Sequence, residues 1–266
     1  MTATQGPVPR PPLIIAVASR KGGSGKTTTS FNLSGVLADK GLRVLLIDLD
    51  PQASLTRLIL GDDADGARGI GERLLTPRLG VTGLTRPVAP GIDLAPGDRS
   101  VETSAFALND DPTGPFRLRK LLAGVADYDV IIIDTPPSLG FASNSAILAA
   151  SIVVTPTLLA QTDIDALGDT LDVVERLAEL GAAARVLILP SAVRNDGNDR
   201  RSMEGLDAAY ADLLADAIPM TVGVKYALAA RRPLSALEPT SAATAAYRAL
   251  ADRLLTGRAG IGVPHA

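Results

Sequence analysis

A glycine-rich run between an apolar stretch and a helical stretch, LIIAVASRKGGSGKTTTS (residues 13–30), constrains the fold most. Residues 13–18 are continuously apolar, which is typical of a strand buried on both faces, and a helical pattern follows over about 26–40. Glycines let backbone N–H groups converge on phosphate oxygens, and the helix directs its positive end at them. The run predicts a phosphate-binding loop; the alternative is a glycine-rich turn with an incidental lysine.

Apolar runs of strand length recur along the chain and alternate with helical patterns. The further runs cover residues 43–48, 130–134, 152–156 and 185–190, and helices are predicted over 116–125, 166–180, 200–215 and 241–255. This alternation predicts one α/β domain with a mostly parallel central sheet and helices on both faces. Residues 61–100 are rich in Gly, Pro and Asp, and we expect loops with one or two short helices there. We assign the domain to residues 13–257, between tails at 1–12 and 258–266.

The charged residues of the loop and of two strand ends have the chemistry needed to bind a nucleotide and its metal ion. Lys26 is placed to neutralise β and γ phosphates, and the Thr27 hydroxyl is placed to coordinate Mg²⁺. Asp134 ends one apolar run, and Asp48 and Asp50 lie in IDLDPQAS at the end of another. Carboxyl ends of parallel strands form the ligand-binding edge of such a sheet, so we expect Asp134 to support the metal. Asp48 or Asp50 is expected to orient the attacking water; helix-cap or turn carboxylates are the alternative.

The composition excludes several other chemistries. The 266 residues include no cysteine, which excludes disulfides, a thiolate nucleophile and cysteine-held metals. The single histidine, His265, lies next to the C-terminus, so neither a histidine-based triad nor a zinc site is expected. The net charge of −3 provides no overall positive field for nucleic acid. Without a secretory pattern or an apolar stretch of bilayer length, we expect a cytoplasmic location.

Three motifs resemble those of a known family. KGGSGKTT (residues 21–28) resembles the deviant Walker A motif of the ParA/MinD class of P-loop ATPases. DLDPQAS and IIIDTPPSLG resemble the two acidic motifs of the ParA partition ATPases in particular. The resemblance extends from about residue 13 to residue 255 and is most specific up to residue 140. It implies a P-loop NTPase fold of the deviant Walker A type, Mg²⁺-dependent hydrolysis of ATP to ADP and phosphate, and an ATP-bound homodimer.

The resemblance also implies a role for each motif residue. Lys21, the extra lysine, would reach across the dimer interface to the phosphates of the partner's nucleotide. Asp50 would be required for hydrolysis but not for ATP binding, with Asp48 as a nearby helper. The implied catalytic group is Lys21, Lys26, Asp48, Asp50 and Asp134. Mg²⁺ is assigned to Thr27, Asp50 and Asp134. The nucleotide phosphates are assigned to Lys21, Gly22, Gly23, Ser24, Gly25, Lys26, Thr27 and Thr28.

The C-terminal half carries the residues that the resemblance implies for DNA. ATP-bound ParA dimers bind double-stranded DNA without sequence preference through basic residues in that half. The segment IPMTVGVKYALAARRPL (residues 218–234) departs from the usual family segment IPRSVRLAEAPSHGKPV, because Gly223 and Tyr226 stand where arginine and glutamate are usual. The candidates beside the adenine are Arg194, Asn195 and Pro219. The candidate DNA contacts are Arg194, Arg200, Arg201, Lys225, Arg231 and Arg232, with ordinary solvated surface cations as the alternative.

The resemblance implies that the protein segregates DNA while bound to the nucleoid, together with a ParB-like, centromere-binding partner. It does not imply binding to a membrane. A relative that positions a protein cargo with the same nucleotide chemistry is one alternative. A MinD-like membrane ATPase is a second, but it needs a basic amphipathic C-terminal helix, which TGRAGIGVPHA does not resemble. A metabolic P-loop enzyme is a third, and no motif for a small substrate is visible. No N-terminal helix-turn-helix domain is apparent, so site-specific DNA binding is not expected.

Overall fold

The protein is described by a computed structural model that covers residues 11–256. The predicted tails at 1–12 and 258–266 therefore lie outside the described residues, except for Pro11 and Pro12. Within residues 11–256, seven strands form one sheet in the order β3-β4-β2-β5-β1-β6-β7. The strands are β1 (Leu13–Val17), β2 (Val44–Asp48), β3 (Arg86–Ala89), β4 (Ile92–Ala95), β5 (Val130–Asp134), β6 (Ile152–Thr157) and β7 (Arg185–Pro190).

Helices connect most of the strands. All neighbouring strands pair in parallel except β3 and β4, which are antiparallel. The prediction of a mostly parallel α/β sheet is confirmed. The α-helices are α1 (Lys26–Asp39), α2 (Ser54–Leu60), α3 (Gly71–Leu75), α4 (Ser100–Leu108), α5 (Arg117–Leu122), α6 (Phe141–Ala149), α7 (Gln161–Glu179), α8 (Gly197–Tyr210), α9 (Val222–Ala229), α10 (Leu234–Leu237) and α11 (Ala242–Thr256). Short 3-10 turns cover Gly61–Ala64, Pro77–Leu79, Gly114–Phe116 and Ala211–Leu213.

Both faces of the central strands are buried, which explains their continuously apolar sequences. In β5, Ile131 and Ile133 contribute to one large hydrophobic cluster, and Val130 and Ile132 contribute to another. Successive side chains of a strand point to opposite faces, so a strand with helices on each side needs apolar residues at every position. The apolar runs in the sequence therefore predicted β1, β2, β5, β6 and β7 within about one residue.

The structure differs from the predicted elements in several places. Residues 61–100 contain the strands β3 and β4 as well as short helices. Strand β3 reads RPVA and is partly exposed, so it has no apolar run to reveal it. Helix α6 was not predicted, because its nine residues are almost all buried and show no polar face. Helix α7 begins at Gln161 rather than 166, helix α8 ends at Tyr210 rather than 215, and α9 and α10 were not foreseen.

The strand order brings the carboxyl ends of β1, β2 and β5 together. In the parallel register, Val17 pairs with Asp134, and Asp48 pairs with Asp134. The glycine-rich loop leaves β1 at the same edge and leads into α1. The predicted loop and the predicted acidic residues therefore meet at one edge of the sheet. No helix within residues 11–256 combines the length and the apolar character needed to cross a lipid bilayer.

Candidate nucleotide site

The loop between β1 and α1 has the backbone geometry of an anion-binding turn. Gly23 and Gly25 have φ angles of 77° and 94°, in the left-handed region that favours glycine. Gly25 caps α1, and it has no side chain to accept a hydrogen bond from the N–H groups of the first helical turn. The first turn of α1 therefore offers its N–H groups and the positive end of the helix to an anion. The buried Ser24 hydroxyl also has no hydrogen-bond partner among residues 11–256.

Lys26 lies at the base of this loop. Its side chain is buried, and its Nζ donates a hydrogen bond to the backbone oxygen of Lys21 at 3.0 Å. Burial lowers the pKa of the Lys26 ammonium, and the negative charges of Asp134 and Asp50 oppose that shift. The ammonium is thus held in place before any ligand arrives, close to two carboxylates and beside the glycine-rich turn.

Asp134 connects the sheet edge to α1. Its Oδ2 accepts a hydrogen bond from Thr27 Oγ1 at 2.8 Å, and its Oδ1 accepts one from Ser30 Oγ at 2.9 Å. Burial, followed by the charge of Asp48 on the adjacent strand, raises the pKa of Asp134 to about 7. A buried carboxylate with a raised pKa is stabilised by a nearby cation. Ser30 was not predicted from the sequence; it lies four residues after Lys26, on the same side of α1.

Asp48 holds the turn that follows β2 and does not line the cleft. Its Oδ2 accepts hydrogen bonds from the backbone N–H of Thr56 at 2.8 Å and from Thr56 Oγ1 at 2.7 Å. Its Oδ1 accepts from the N–H of Asp50 at 3.1 Å. Thr56 Oγ1 in turn accepts from the N–H of Gly97 at 2.8 Å. Burial raises the pKa of Asp48 to about 6, opposed by these hydrogen bonds. The buried Asp48 side chain therefore orients the turn that carries Asp50, without lining the cleft itself.

Asp50 faces the cleft from the turn that precedes α2. One of its carboxylate oxygens accepts a hydrogen bond from the N–H of Gln52 at 2.8 Å. The turn ends at Ala53, whose φ of 54° is uncommon for a residue with a side chain. The hydrogen bonds of Asp48 and the strained residue together fix the position of Asp50 opposite the phosphate loop.

Two adjoining clefts border the phosphate loop. The phosphate cleft has a volume of about 260 Å³ and is lined by Lys26, Thr27, Asp50 and residues around them. The nucleoside cleft has a volume of about 250 Å³ and is lined mainly by apolar side chains. Both clefts share Gly23, Gly25 and Thr28. A mainly apolar space next to a cationic, N–H-rich space fits the base and the phosphates of one nucleotide.

The donor set at the phosphate cleft fits Mg²⁺. Thr27 and Asp50 line the cleft and offer hard oxygen donors, the Thr27 hydroxyl and the Asp50 carboxylate. Asp134 is connected to the cleft by its hydrogen bond with Thr27 Oγ1. Among residues 11–256, no group of three or more acidic, histidine or cysteine side chains could hold a metal alone. Mg²⁺ typically takes one or two protein oxygens and completes its shell with phosphates and water. These residues therefore suit a metal that arrives with a nucleotide.

The predicted adenine residues are distributed unevenly around the nucleoside cleft. Pro219 lines it, and so does Lys225, which was predicted as a DNA contact. Arg194 and Asn195 are exposed and do not line it; Arg194 touches its rim only through a contact of Nε with Met220 Sδ at 3.2 Å. The sequence analysis missed most of the apolar wall, for which no sequence signal exists. That wall includes Leu158, Ile218, Met220, Val224, Leu228 and Tyr247.

Lys21 lies beside α7 and outside both clefts of its own chain. It lines neither the phosphate cleft nor the nucleoside cleft, and its Nζ lies 3.4 Å from Thr162 Oγ1 in the first turn of α7. The neighbouring Arg20 forms an ion pair with Asp169 of the same helix. The two adjacent cations therefore differ, because Arg20 is neutralised by Asp169, whereas Lys21 has no acidic partner within residues 11–256.

The candidate DNA contacts are exposed and unpaired. Arg200 and Arg201 lie on α8, and Arg231 and Arg232 follow α9. The four ion pairs found within residues 11–256 involve none of the six candidate cations. Arg231 has a φ of 54°, and its guanidinium lies against Gly61 at the end of α2. These charges are available to an external anion.

Comparisons with known protein sequences agree with the site. A family profile described as an AAA domain matches residues 13–183. An uncharacterised protein of Mycobacterium tuberculosis is 31% identical over 260 residues, which cover 94% of this chain and 81% of the relative. The chromosome partitioning protein ParA of Caulobacter vibrioides is 28% identical over 250 residues, which cover 91% of this chain and 94% of that protein.

Solved structures share the fold. A cobyrinic acid a,c-diamide synthase from Mycobacterium smegmatis, solved with bound ADP and magnesium, is 28% identical with a TM-score of 0.80 and covers 94% of this chain and 96% of its own. Apo McdA of Cyanothece is 24% identical with a TM-score of 0.81, covering 91% of this chain and 99% of its own, which shows likeness of fold alone.

The matched profile spans more than half of the chain and contains the phosphate loop, Asp48, Asp50 and Asp134. The relatives include partition proteins that align over nearly the whole chain. The chain therefore belongs to the ParA family of partition ATPases.

Proposed function

We propose that the protein is a DNA partition ATPase whose nucleotide state controls its self-association. The observation that carries the proposal is the position of Lys21, which directly precedes the phosphate loop but lines neither cleft of its own chain. A lysine so placed can act on the nucleotide of a second chain. Two ATP molecules facing each other concentrate negative charge in one interface, and a cation from each chain offsets that charge.

The phosphate cleft provides the groups for ATP hydrolysis. Mg²⁺ bound with ATP would neutralise charge on the β and γ phosphates, and Thr27, Asp50 and Asp134 are the residues that suit it. Lys26 and the N–H groups of α1 bind the phosphates. Asp50, which lines the cleft, orients the attacking water, whereas the buried Asp48 positions the turn that carries Asp50. Catalysis would come mainly from positioning and charge stabilisation, as is general for phosphoryl transfer.

The ATP-bound homodimer would bind double-stranded DNA without sequence preference. The unpaired cations of the C-terminal half, Arg200, Arg201, Arg231 and Arg232 among them, are exposed and can contact DNA phosphates. Binding through phosphates weakens steeply as salt rises. Hydrolysis, stimulated by a ParB-like partner, would break the dimer and release the DNA. The protein would then be cytoplasmic and associated with the nucleoid.

The alternatives share the nucleotide chemistry and differ in cargo. A ParA-like ATPase that positions a protein cluster would use the same cleft and the same Lys21. A MinD-like enzyme would bind membranes, and a metabolic enzyme would bind a small substrate. DNA binding that depends on ATP favours partition, whereas ATP-dependent binding to lipid vesicles without binding to DNA would favour the MinD-like role.

The test is DNA binding in three nucleotide states. Fluorescence anisotropy of a labelled, non-specific duplex is measured with a non-hydrolysable ATP analogue, with ADP and without nucleotide. We expect binding by the wild type only with the ATP analogue, no binding by Lys21→Ala in any state, and normal binding by Arg20→Ala, because Arg20 already has a partner in Asp169. Equal binding of DNA by the wild type in all three states would contradict the proposal that the nucleotide controls DNA binding.

A further inference from the structure

One charged side chain stands out in the wall of the nucleoside cleft. Among the described residues that line this cleft, Lys225 alone carries a charge. Its neighbours in the wall are apolar side chains and neutral hydroxyls. From the sequence, Lys225 was predicted to contact DNA, and nothing in the motif residues points to the nucleotide.

Helix α9 directs Lys225 to the cleft. Val224, Lys225 and Leu228 all line it, and the spacings of four and three residues to Leu228 put the first two on the same side of the helix as Leu228. Val222 and Tyr226, on the other side, are 61% and 67% exposed. Lys225 is itself exposed, so it lines the cleft while remaining accessible to solvent, as is usual for a lysine with an apolar stem and a charged end.

The position of α9 is set by the protein before a ligand binds. Ala227 is fully buried, and Thr221 caps the helix by accepting a hydrogen bond from the N–H of Gly223 at 3.1 Å. Glu238 packs its carboxylate against Gly223 but forms no ion pair with Lys225. The helix that carries Lys225 is thus held by the protein itself, and no acidic group within residues 11–256 is paired with the lysine.

We propose that Lys225 binds the nucleotide, at its α-phosphate end. This role for Lys225 rests on the proposed function, because it requires the phosphate and nucleoside clefts to form one nucleotide site. The clefts meet at Gly23, Gly25 and Thr28, so the phosphate nearest the nucleoside cleft is the one attached to the ribose. Lys225 lines the nucleoside cleft and not the phosphate cleft, and the wall of the nucleoside cleft includes those three junction residues. Lys225 therefore acts on a charge that ATP, ADP and AMP have in common, and it does not sense the γ-phosphate.

The test measures affinity rather than hydrolysis. Calorimetric titration of Lys225→Met with ADP, with AMP and with a non-hydrolysable ATP analogue should give dissociation constants about three- to tenfold higher than those of the wild type, by a similar factor for each. Adenosine, which lacks the phosphate, should bind both proteins equally. Lys225→Arg should keep most of the affinity. Lys120→Met removes an exposed lysine on α5 that lines no cleft, and it should change nothing.

Two results would overturn the assignment. One is unchanged affinity of Lys225→Met for ADP; the other is an equal loss for adenosine, which would indicate lost packing instead of lost charge. DNA binding is measured in parallel at saturating ATP analogue, and we expect it to be unchanged in Lys225→Met. If Lys225→Met loses DNA binding but keeps normal nucleotide affinity, Lys225 is a DNA contact, as the sequence predicted, and the assignment to the nucleotide is wrong. If the wild type binds no adenine nucleotide at all, the proposed function fails instead.

Discussion

The phosphate loop and the segment 218–234 border the same cleft but hold their side chains differently. Around the loop, the polar side chains of Lys26, Asp134 and Asp48 are buried and joined by hydrogen bonds to the chain itself. In the segment, the cations are exposed and unpaired, and Met220 is half exposed. The first region is organised before any ligand binds, whereas the cations of the second have no acidic partner within residues 11–256. Under the proposed function, the first region carries out the chemistry and the second recognises DNA.

The two regions are joined through α1. Asn32 donates from Nδ2 to the backbone oxygen of Thr28 at 2.8 Å and accepts from the N–H of Leu234 at 2.8 Å. One turn later, Gly35 packs directly against Pro233. The helix that opens with the phosphate loop therefore holds the end of the segment that carries Arg231 and Arg232. A movement of α1 on nucleotide binding would be passed directly to that segment.

The largest expected effect separates hydrolysis from binding within the phosphate region. Asp50→Ala removes the carboxylate that orients the attacking water in the proposed function, so phosphate release should fall by about 100-fold or more. Nucleotide binding should persist, because Lys26 and the loop remain. The variant should therefore stay on DNA with ATP for much longer than the wild type. Phosphate release assays and dissociation from labelled DNA measure the two quantities. Unchanged phosphate release would take Asp50 out of this role.

The converse variant tests the segment. Reversing both charges, Arg231→Glu with Arg232→Glu, should weaken DNA binding by roughly 10-fold or more at low salt and reduce its salt dependence. Dimer formation and nucleotide affinity should remain normal. The matched control reverses Arg119 and Lys120, an adjacent pair of exposed cations on α5. If DNA affinity is normal in the first variant, or falls equally in the control, the basic surface lies elsewhere.

The junction between the two regions should be sensitive to one methyl group. A Cβ at Gly35 would lie 2.3 Å from the Cβ of Pro233, so Gly35→Ala must push the segment away from α1. We expect a loss of about 1–3 kcal/mol in the free energy of unfolding. Gly168→Ala is the matched control, because its Cβ on α7 would meet no atom within 4 Å. That change should stabilise by up to about 1 kcal/mol through helix propensity.

Urea denaturation measures both glycine variants. A close fit at Gly35 predicts opposite signs for the two changes. The same stability change in both would mean that α1 and the segment separate without cost, and the proposed connection between nucleotide and DNA would lose its structural basis.

The smallest expected effect is the dependence of the free energy of unfolding on pH, which comes from carboxyl groups of the phosphate region. Burial raises the pKa values of Asp48 and Asp134 to about 6 and about 7, above the usual 3.8. Without nucleotide, the folded protein therefore binds more protons than the unfolded chain between about pH 4 and pH 7, and its stability falls as pH rises through that range. The change should be smaller in Asp48→Asn, which removes one of the two shifted carboxyl groups. Urea titrations from pH 5 to pH 8 compare the two slopes, and equal slopes would contradict this assignment.

The two regions also differ in how far the sequence predicted them. Strands β1, β2 and β5 have apolar runs because both of their faces are buried, and the glycine-rich loop follows directly from one of them. The acidic ends of β2 and β5 could be placed at the same edge because both strands were predicted to belong to a parallel sheet. These local patterns determine the phosphate region.

The nucleoside cleft could not be predicted in the same way. Its wall combines Leu158 after β6, Pro219 before α9 and Tyr247 on α11, which no local pattern connects. The role of Asp48 depends on Thr56, eight residues further along the chain, and the position of Lys225 depends on which side of α9 faces the cleft. Such features follow from tertiary packing, and they are the ones that the sequence analysis missed or assigned to DNA.

The central claim is that ATP joins two chains through Lys21, and light scattering tests it most directly. With Mg²⁺ and a non-hydrolysable ATP analogue, the wild type should rise from the mass of one chain, 27.4 kDa, to about twice that mass, and it should return to one chain with ADP. Lys21→Ala should remain a single chain while still binding the analogue. A wild type that stays monomeric with the analogue bound, or a Lys21→Ala variant that dimerises normally, would contradict the account.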